Sequence, residues 1–246
     1  MSPFTIECSE QGIRLPRLGL WLDPHRAQAG PDLVFVSHAH SDHIGRHREV
    51  ILTAATDRLM QARLGGERLK HICSFGEPHP FHCGEGPFTI TLLPAGHILG
   101  SAMTFIEAEG EALLYTGDFQ TRPHPVAERC EPRHADVLIM ETTFGRPLYR
   151  MPPAEQVWRQ IIQFCRDALE AGCVPVLLGY SLGKSQELLA GLADTGLPLM
   201  VHREVAKMTR IHEELGCRFP AYELFDEEAT AGKVVIVPPG SRLFAG

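Results

Sequence analysis

The sequence predicts an α/β protein built of two parts, a β-rich part over residues 1–146 and an α/β part over residues 147–246. Three observations predict this organisation. Apolar runs of strand length recur through the first part, and Leu33–Ser37 is the clearest of them. Histidine and aspartate fill four of the six positions that follow that run. From about Pro147 onward, helical and strand-like periodicities alternate, which is typical of βαβ units with a parallel sheet.

The first part contains short β-like runs separated by turn residues. Leu33–Ser37 and Val137–Glu141 are continuous apolar runs, which are typical of strands buried on both faces. Thr53–Leu64 is predicted to be a helix that has Thr53 as its N-cap and ends at Gly65 and Gly66. The other predicted strands are Thr5–Cys8, Ile13–Leu15, Phe88–Leu93, Met103–Glu107 and Ala112–Thr116.

The second part alternates between helix and strand patterns. Ala154–Ala171 carries apolar residues at helical spacing and stops at Gly172. The predicted elements that follow are strand Val174–Leu178, helix Lys184–Leu192, strand Leu197–Val201, helix Arg203–Leu215 and strand Val234–Val237. This alternation predicts a parallel sheet.

The composition excludes several classes of protein. Hydrophobic residues make up 44% of the 246 residues, which is ordinary for a globular protein, and the longest apolar runs are too short to span a bilayer. The N-terminus has no basic stretch followed by an apolar one, so no secretory signal is predicted. Seven cysteines without a C-x-x-C pair argue against a disulfide framework and a cysteine zinc ribbon. Reduced thiols in a cytoplasm are therefore expected.

The formal net charge of −7 is unusual for a protein that binds nucleic acid, because such domains are generally basic. Net charge, however, averages over the whole surface, whereas a phosphate chain meets one groove. Two bound dications would add about four positive charges at that groove. The charge therefore does not exclude a nucleic-acid substrate.

The stretch His38-Ala-His40-Ser-Asp42-His43 places three imidazoles and a carboxylate at the end of a predicted buried strand. Neutral imidazole and carboxylate are ligands of zinc, and a loop can direct alternate side chains at one metal and the remaining pair at another. A solvated polar turn is the alternative. It does not explain why four of six positions are histidine or aspartate, so the stretch predicts a metal site.

His97 and Asp118 also lie at predicted strand ends, and either alone is more often a turn residue. In the order H-x-H-x-D-H, H, D, however, they and the loop resemble the ligand set of the metallo-β-lactamase fold, an αββα sandwich. The resemblance implies two divalent ions, with zinc expected and manganese as the alternative. The implied ligands are His38, His40 and His97 for one ion, Asp42 and His43 for the other, and Asp118 as a bridge between the two.

Asp23 ends an apolar strand ahead of the loop and resembles the first-motif aspartate of that fold. It would orient a ligand imidazole or the loop itself. An N-terminal cap or a plain Asp-Pro turn is the alternative for Asp23.

The implied cage predicts hydrolysis. Two metals a few ångströms apart lower the pKa of a shared water from 15.7 towards roughly 7 and neutralise phosphodiester oxygens. The expected catalytic carboxylates of this cage are Asp42 and Asp118. Phosphate, β-lactam, thioester and glyoxalase-type substrates are all compatible with such a cage, so the cage does not identify the substrate.

Glu141-Thr-Thr-Phe-Gly145 resembles the acidic motif that opens the β-CASP insertion, which marks the nucleic-acid hydrolases of this fold. The resemblance implies that Glu141 is a further catalytic carboxylate and that residues 147–246 are a partial β-CASP cap. Four stretches are similar to a bacterial DNA exonuclease family associated with a DNA ligase and a helicase. They are Gly12–Pro16 with Leu22–Pro24, His38–His43, Thr143–Tyr149 and Tyr180–Gln186. The resemblance implies a cytoplasmic DNA exonuclease of a repair system, with an RNA-processing nuclease as the alternative and no membrane partner.

Gly179-Tyr-Ser-Leu-Gly-Lys-Ser185 is not a P-loop, because its glycines enclose three residues instead of four. A turn into a helix N-terminus can still hold a backbone phosphate of a nucleic-acid strand, with Ser181 and Lys184 as its side chains. A plain helix cap is the alternative. The nucleic-acid strand is expected to lie between the loop His38–His43 and the cap.

The resembled family completes its second metal site, and supplies a protonating histidine, from segments after the cap. Here no histidine follows His212, and the chain stops at Pro239–Gly246. The expectation is that the C-terminal part is missing or that the second metal is weakly held. A catalytically weakened scaffold is therefore a further alternative, and His202 is expected to be structural.

Overall fold

The computed structural model describes residues 2–28 and 30–241, so part of the segment Pro239–Gly246 lies outside the described residues. The chain divides into two compact units, Met1–Glu141 and Thr142–Gly246. The sequence pattern predicts the boundary between the two parts a few residues later, between residues 146 and 147.

The first sheet has six strands in chain order, β1 (Glu7–Ser9), β2 (Gly12–Leu15), β3 (Leu20–Leu22), β4 (Leu33–Phe35), β5 (Glu49–Leu52) and β6 (Leu69–Ile72). The pairs from β1 to β3 are antiparallel and those from β3 to β6 are parallel. A 3-10 turn, Pro16–Leu18, joins β2 to β3. Helix α1 (Ala54–Leu64) is the crossover between the parallel strands β5 and β6. Its predicted caps are confirmed, since Thr53 accepts from the Thr56 N–H and the helix ends at Gly65.

The second sheet has five strands in the order β11-β10-β9-β8-β7. They are β7 (Pro78–Cys83), β8 (Gly86–Pro94), β9 (Ala102–Ala108), β10 (Glu111–Tyr115) and β11 (Val137–Ile139). All pairs are antiparallel except β10 with β11. The prediction that Val137–Glu141 is a strand buried on both faces is wrong. β11 is an edge strand, and Leu138 is 56% exposed.

The two sheets pack face to face around one apolar core. Side chains of alternate strand positions enter it, and among the most buried are Leu22, Phe35, Ile51, Ile90 and Ile106. The opposite face of the second sheet is covered by Phe119, Cys130 and Ala135 from the segment after β10. The mixed α/β sandwich predicted from the sequence is confirmed.

The second unit contains α2 (Ala154–Glu170), β12 (Val176–Leu178), α3 (Lys184–Gly191), β13 (Leu199–Val201), α4 (Arg203–Glu214), β14 (Tyr222–Leu224) and β15 (Val234–Val237). Short 3-10 turns lie at Ala193–Thr195 and Glu227–Ala229. The sheet order is β12-β15-β13-β14 and every pair is parallel, as predicted. Leu189, Val201 and Ile236 are fully buried in its core.

None of the helices within residues 2–28 and 30–241 is both long and apolar enough to cross a membrane. All seven cysteines are free thiols, as the sequence predicted.

Candidate metal centre

The histidine loop leaves β4 anchored to both sheets. The Val36 N–H donates to Ile51 O at 3.0 Å in the first sheet, and Ser37 O accepts from the Ala102 N–H at 2.8 Å in the second. His38 therefore starts the loop from a fixed position, and its side chain is fully buried. Ser37 Oγ lies 2.9 Å from His38 Nδ1, so it is Nε2 of this imidazole that faces the other histidines.

Asp23 holds the loop through a buried carboxylate that is 3% exposed. Its Oδ1 accepts from the Ser37 N–H at 2.7 Å, and its Oδ2 accepts from the Tyr115 hydroxyl at 2.9 Å. Oδ2 also lies 3.1 Å from His43 Nδ1. The backbone of Asp23 is in the left-handed region at φ 45°, which aspartate tolerates better than most residues. These contacts support the orienting role that the resemblance implied, and a plain Asp-Pro turn does not account for them.

Gly117, the residue before Asp118, sets the direction of the Asp118 side chain. Gly117 has φ 52°, and a Cβ at this position would lie 2.7 Å from the Cβ and Oγ of Ser37. Both the backbone conformation and the close approach to the loop therefore require glycine. This turn at the end of β10 carries the Asp118 carboxylate to the histidines.

His97 lies in the turn between β8 and β9, and Ser101 shapes that turn. Ser101 is fully buried, and its Oγ accepts from the N–H groups of His97 at 3.0 Å and Ile98 at 3.2 Å. The Ala95 N–H donates to Ser101 O at 2.9 Å and closes the turn. His97 is thus presented from an ordered backbone.

Donor atoms of His38, His40, His97 and Asp118 all lie within 4.8 Å of one another. His40 Nδ1 is 3.0 Å from His38 Nε2 and 3.2 Å from His97 Nε2. Asp118 Oδ2 is 3.7 Å from His38 Nε2 and 3.6 Å from His97 Nε2. Tetrahedral zinc bonds to nitrogen and oxygen would place ligand atoms roughly 3.3–3.6 Å apart. These four residues therefore fit a divalent metal ion.

A second, looser set of donors lies on the other side of the Asp118 carboxylate. His43 Nε2 is 3.6 Å from Asp118 Oδ1 and 3.8 Å from Asp42 Oδ2. The two oxygens of Asp118 therefore face different histidines, as a bridging ligand requires. The Asp42 side chain is 71% exposed and, within the described residues, does not join the group of mutually close donors.

The histidines of the two sets differ in charge before any metal binds. Burial, aided by the neighbouring imidazoles, lowers the pKa of His38 well below its ordinary value of 6.5. Burial acts in the same direction on His43, but Asp23, Asp118 and Asp42 outweigh it and raise the pKa of His43 to about 9. His38 is thus neutral and ready to ligate at neutral pH, whereas a metal at His43 must displace a proton.

Glu141 acts electrostatically on Asp118. Burial raises the pKa of the Asp118 carboxyl and the charge of Glu141 raises it further, against the lowering effect of His43 and His40. The Glu141 N–H donates to Thr116 Oγ1 at 3.3 Å, which fixes Glu141 beside the end of β10. Crowding of carboxylates around Asp118 favours a cation between them.

The predicted phosphate-binding residues Ser181 and Lys184 lie at the start of α3, in the second unit. The Lys184 ammonium forms an ion pair with Glu187, one turn further along the helix. The Gly183 N–H donates to Gln186 Oε1 at 2.8 Å, so one N–H group expected to receive an anion is already satisfied. A phosphate role for Ser181 and Lys184 stays a prediction.

His202 is structural, as predicted. It is the N-cap of α4, and its Nδ1 accepts from the Glu204 N–H at 3.2 Å.

Sequence reasoning missed the residues that hold the ligands in place. Ser37 and Ser101 carry no distinctive signal beyond their position next to a ligand motif. Burial and the Asp23 charge raise the pKa of Tyr115, so its hydroxyl remains a donor to Asp23. Only the packing of the two sheets against each other brings Tyr115 to Asp23, 92 positions away in sequence.

Comparison with known proteins identifies the family of the chain. A family model described as the beta-lactamase superfamily domain matches residues 8–176. The chain is 48% identical over 241 residues to the "Probable DNA ligase" of Opitutus terrae, an alignment that covers 98% of this chain and 23% of that protein. It is 34% identical over 221 residues to the "5′ exonuclease Apollo" of Gallus gallus, covering 85% and 45%. It is 30% identical over 182 residues to the "RNase J-like protein" of Methanocaldococcus jannaschii, covering 64% and 42%.

A crystal structure of a protein of unknown function from Enterococcus faecalis V583 has a TM-score of 0.57 to this chain at 13% identity. The match covers 88% of this chain and 61% of that one, and it concerns the fold alone. The chain spans less than half the length of the three curated relatives. From the family match, the sheets and the ligand cluster together, the chain belongs to the beta-lactamase superfamily and has the metallo-β-lactamase fold.

Proposed function

We propose that the chain is a divalent-metal-dependent hydrolase of nucleic-acid phosphodiester bonds that acts on DNA from an end, with zinc as its metal. The observation that carries the proposal is the cluster of His38, His40, His97 and Asp118, whose donor atoms lie within 4.8 Å of one another. Two ions are proposed, and the first is held more firmly because its donor set is the tighter one.

Bound divalent ions supply a water of lowered pKa and neutralise phosphodiester oxygens. The protein residues prepare that chemistry. His38 is kept neutral by burial, so its lone pair is available to a metal. Asp118 presents one oxygen to each donor group. Asp23 keeps the His43 ring in position, and Glu141 is proposed to orient the group that protonates the leaving oxygen.

Nucleic acid is the proposed substrate for two reasons. Two relatives are named as nucleases, a 5′ exonuclease and an RNase J-like protein. Glu141-Thr-Thr-Phe-Gly145 resembles the β-CASP motif, and the parallel α/β sheet of the second unit is compatible with a cap of that kind. DNA is proposed over RNA because the alignment that covers 98% of the chain is with a probable DNA ligase.

A DNA ligase is proposed as a functional partner from the same alignment. A helicase partner and a cytoplasmic location rest on the sequence resemblance and on the free thiols.

The test is incubation of the chain with end-labelled single-stranded DNA and RNA of one sequence, with zinc or manganese and with chelator. We expect metal-dependent release of short labelled products from DNA, stopped by the chelator. The variant His38→Ala/His40→Ala should be inactive. His134→Ala, which alters an exposed histidine outside the cluster, is the matched control and should retain activity.

Other products would redirect the proposal. Metal-dependent cleavage of RNA alone would assign the chain to the RNA-processing alternative. No hydrolysis of either polymer by the metal-loaded chain would contradict the enzyme and favour the scaffold alternative.

A further inference from the structure

We infer that the segment Phe144–Arg150 is a base-stacking platform for single-stranded nucleic acid. The inference rests on the proposed function and deepens it by assigning substrate contact to residues outside the metal centre. The segment follows Glu141 directly in the chain and belongs to the start of the second unit.

Two aromatic rings are exposed in this segment. Phe144 is 62% exposed and Tyr149 is 44% exposed, and their ring centroids are 5.4 Å apart at an interplanar angle of 84°. In an edge-to-face pair one ring uses an edge and the other uses one face, so the pair itself occupies only one of four ring faces. Flat, exposed ring faces are what unpaired bases stack on.

The backbone of the segment is constrained by turns. The Gly145 N–H donates to Thr142 O at 3.0 Å, and the Tyr149 N–H donates to Arg146 O at 3.0 Å. Pro147 lies between the two rings in sequence and fixes its own φ. These turns and the proline restrict the backbone that presents the rings, and a restricted backbone lowers the entropic cost of binding.

The charge of the segment selects an anionic partner. Residues 142–154 contain no acidic residue, although the chain as a whole has a net charge of −7. Arg146 and Arg150 lie among these residues, and neither makes an ion pair within the part of the chain that the structure describes. Aromatic faces interleaved with free guanidinium groups match a single strand, which offers bases and phosphates together. An apolar protein partner would leave both charges uncompensated.

The first test uses the chain without substitution. Binding is compared between a short single strand with phosphorothioate linkages, which resist cleavage, and an abasic strand of equal length and charge. We expect the base-bearing strand to bind roughly 10- to 100-fold more tightly, because stacking depends on bases and phosphate contacts do not. A strand carrying 2-aminopurine should lose fluorescence on binding as the base stacks.

The second test removes the rings. Phe144→Ala/Tyr149→Ala should abolish the preference for the base-bearing strand and the fluorescence loss, and leave binding of the abasic strand unchanged. Phe164→Ala is the matched control, since Phe164 is an aromatic residue 52% exposed on α2. Arg146→Gln/Arg150→Gln should weaken both strands to a similar degree.

The outcomes separate this inference from the proposed function. Equal binding of the two strands, or a base preference that survives loss of both rings, overturns the platform. If the chain still hydrolyses nucleic acid in that case, the proposed function stands without it. Absence of any binding to either strand by the metal-loaded chain overturns both.

Discussion

At the scale of single residues, the candidate metal centre combines a buried neutral imidazole, His38, with a protonated one, His43. His38 needs no proton release before it ligates, whereas His43 does. The difference agrees with the geometry, in which the set around His38 is compact and the set around His43 includes the exposed Asp42. We therefore expect the set around His38 to hold a metal more firmly than the set around His43.

The double substitution His38→Ala/His40→Ala should remove the firmly held metal. Two of the four close donors are lost, and two donors are too few for the tetrahedral preference of zinc. Elemental analysis after gentle purification should fall from about one zinc per chain to a small fraction, and His134→Ala should match the parent chain. A parent chain that holds no metal, even after reconstitution, would contradict the site.

Glu141→Gln should lower turnover by roughly 100-fold or more while metal content stays unchanged, because Glu141 is proposed to orient a proton donor and not to ligate. Activity and elemental analysis are measured on the same preparation. Glu107→Gln, on an exposed carboxylate of β9, is the control. Unchanged turnover with reduced thermal stability would instead indicate that Glu141 only stabilises its turn.

At the scale of elements, local signals were reliable where a segment carries its own boundaries. Helix α1 was predicted residue for residue because Thr53 and Gly65 mark its ends. Strand β7 was missed because Pro78 and Pro80 suppress the strand signal, and such prolines are tolerated at the edge of a sheet. Burial of β11 was overestimated because an apolar run does not reveal whether a second neighbour pairs with the strand.

The turn before Asp118 allows a test of how an element aims a ligand. Gly117→Ala adds a Cβ both at a positive φ and 2.7 Å from Ser37, so we expect a loss of roughly 2–4 kcal/mol in stability and weaker metal binding. Gly110→Ala is a matched control, because Gly110 has φ 84° and open space around its Cβ position. That control should cost about 1 kcal/mol and spare the metal. Equal effects in urea unfolding and metal titration would show that the contact with Ser37 is unimportant.

Substitutions at the start of α3 test the predicted phosphate contact. Lys184→Ala should weaken single-strand binding similarly across sequences and flatten its salt dependence by at most about one unit. The limit arises because Lys184 already pairs with Glu187, so a phosphate gains less from it. Glu187→Gln should act oppositely and tighten binding. Titrations over a salt series in which neither variant differs from the parent would leave this helix with a structural cap alone.

At the scale of the whole molecule, the sequence predicted which residue types meet and not how tightly they meet. The order of the expected metal ligands can be recognised in the sequence, because four histidine and aspartate residues within six positions, as in His38–His43, are rare. The donor atoms of the two sets are spaced unequally, and this spacing depends on tertiary contacts. One such contact group is the Asp23 carboxylate, which reaches Ser37, His43 and Tyr115 together. No local pattern records that convergence.

The stability of the first unit should depend on pH through His47. This side chain is 2% exposed, and neither ring nitrogen has a hydrogen-bond partner within the described residues. Burial and the positive charge of Arg68 lower its pKa from 6.5 to about 4. The unfolded chain therefore takes up a proton below pH 6.5, whereas the folded chain does so only near pH 4. The contribution of neutral His47 to stability is full above pH 6.5 and is lost as pH falls from 6.5 to 4, by up to roughly 3 kcal/mol before solvent screening reduces it.

His47→Leu should remove this pH dependence. At pH 7 the substitution should change the free energy of unfolding little, because the two unpartnered nitrogens disappear with the ring. Between pH 7 and pH 5 the parent chain should lose about 1–2 kcal/mol more than the variant. Urea unfolding in a Trp158→Phe background measures it, since Trp21 in β3 is then the only tryptophan and reports on the first unit. Chelator is present throughout, so that metal release on acidification is equal in both chains. An exposed-site control, His134→Leu, should follow the parent, and a His47→Leu chain that also follows the parent would show that His47 is not the group responsible.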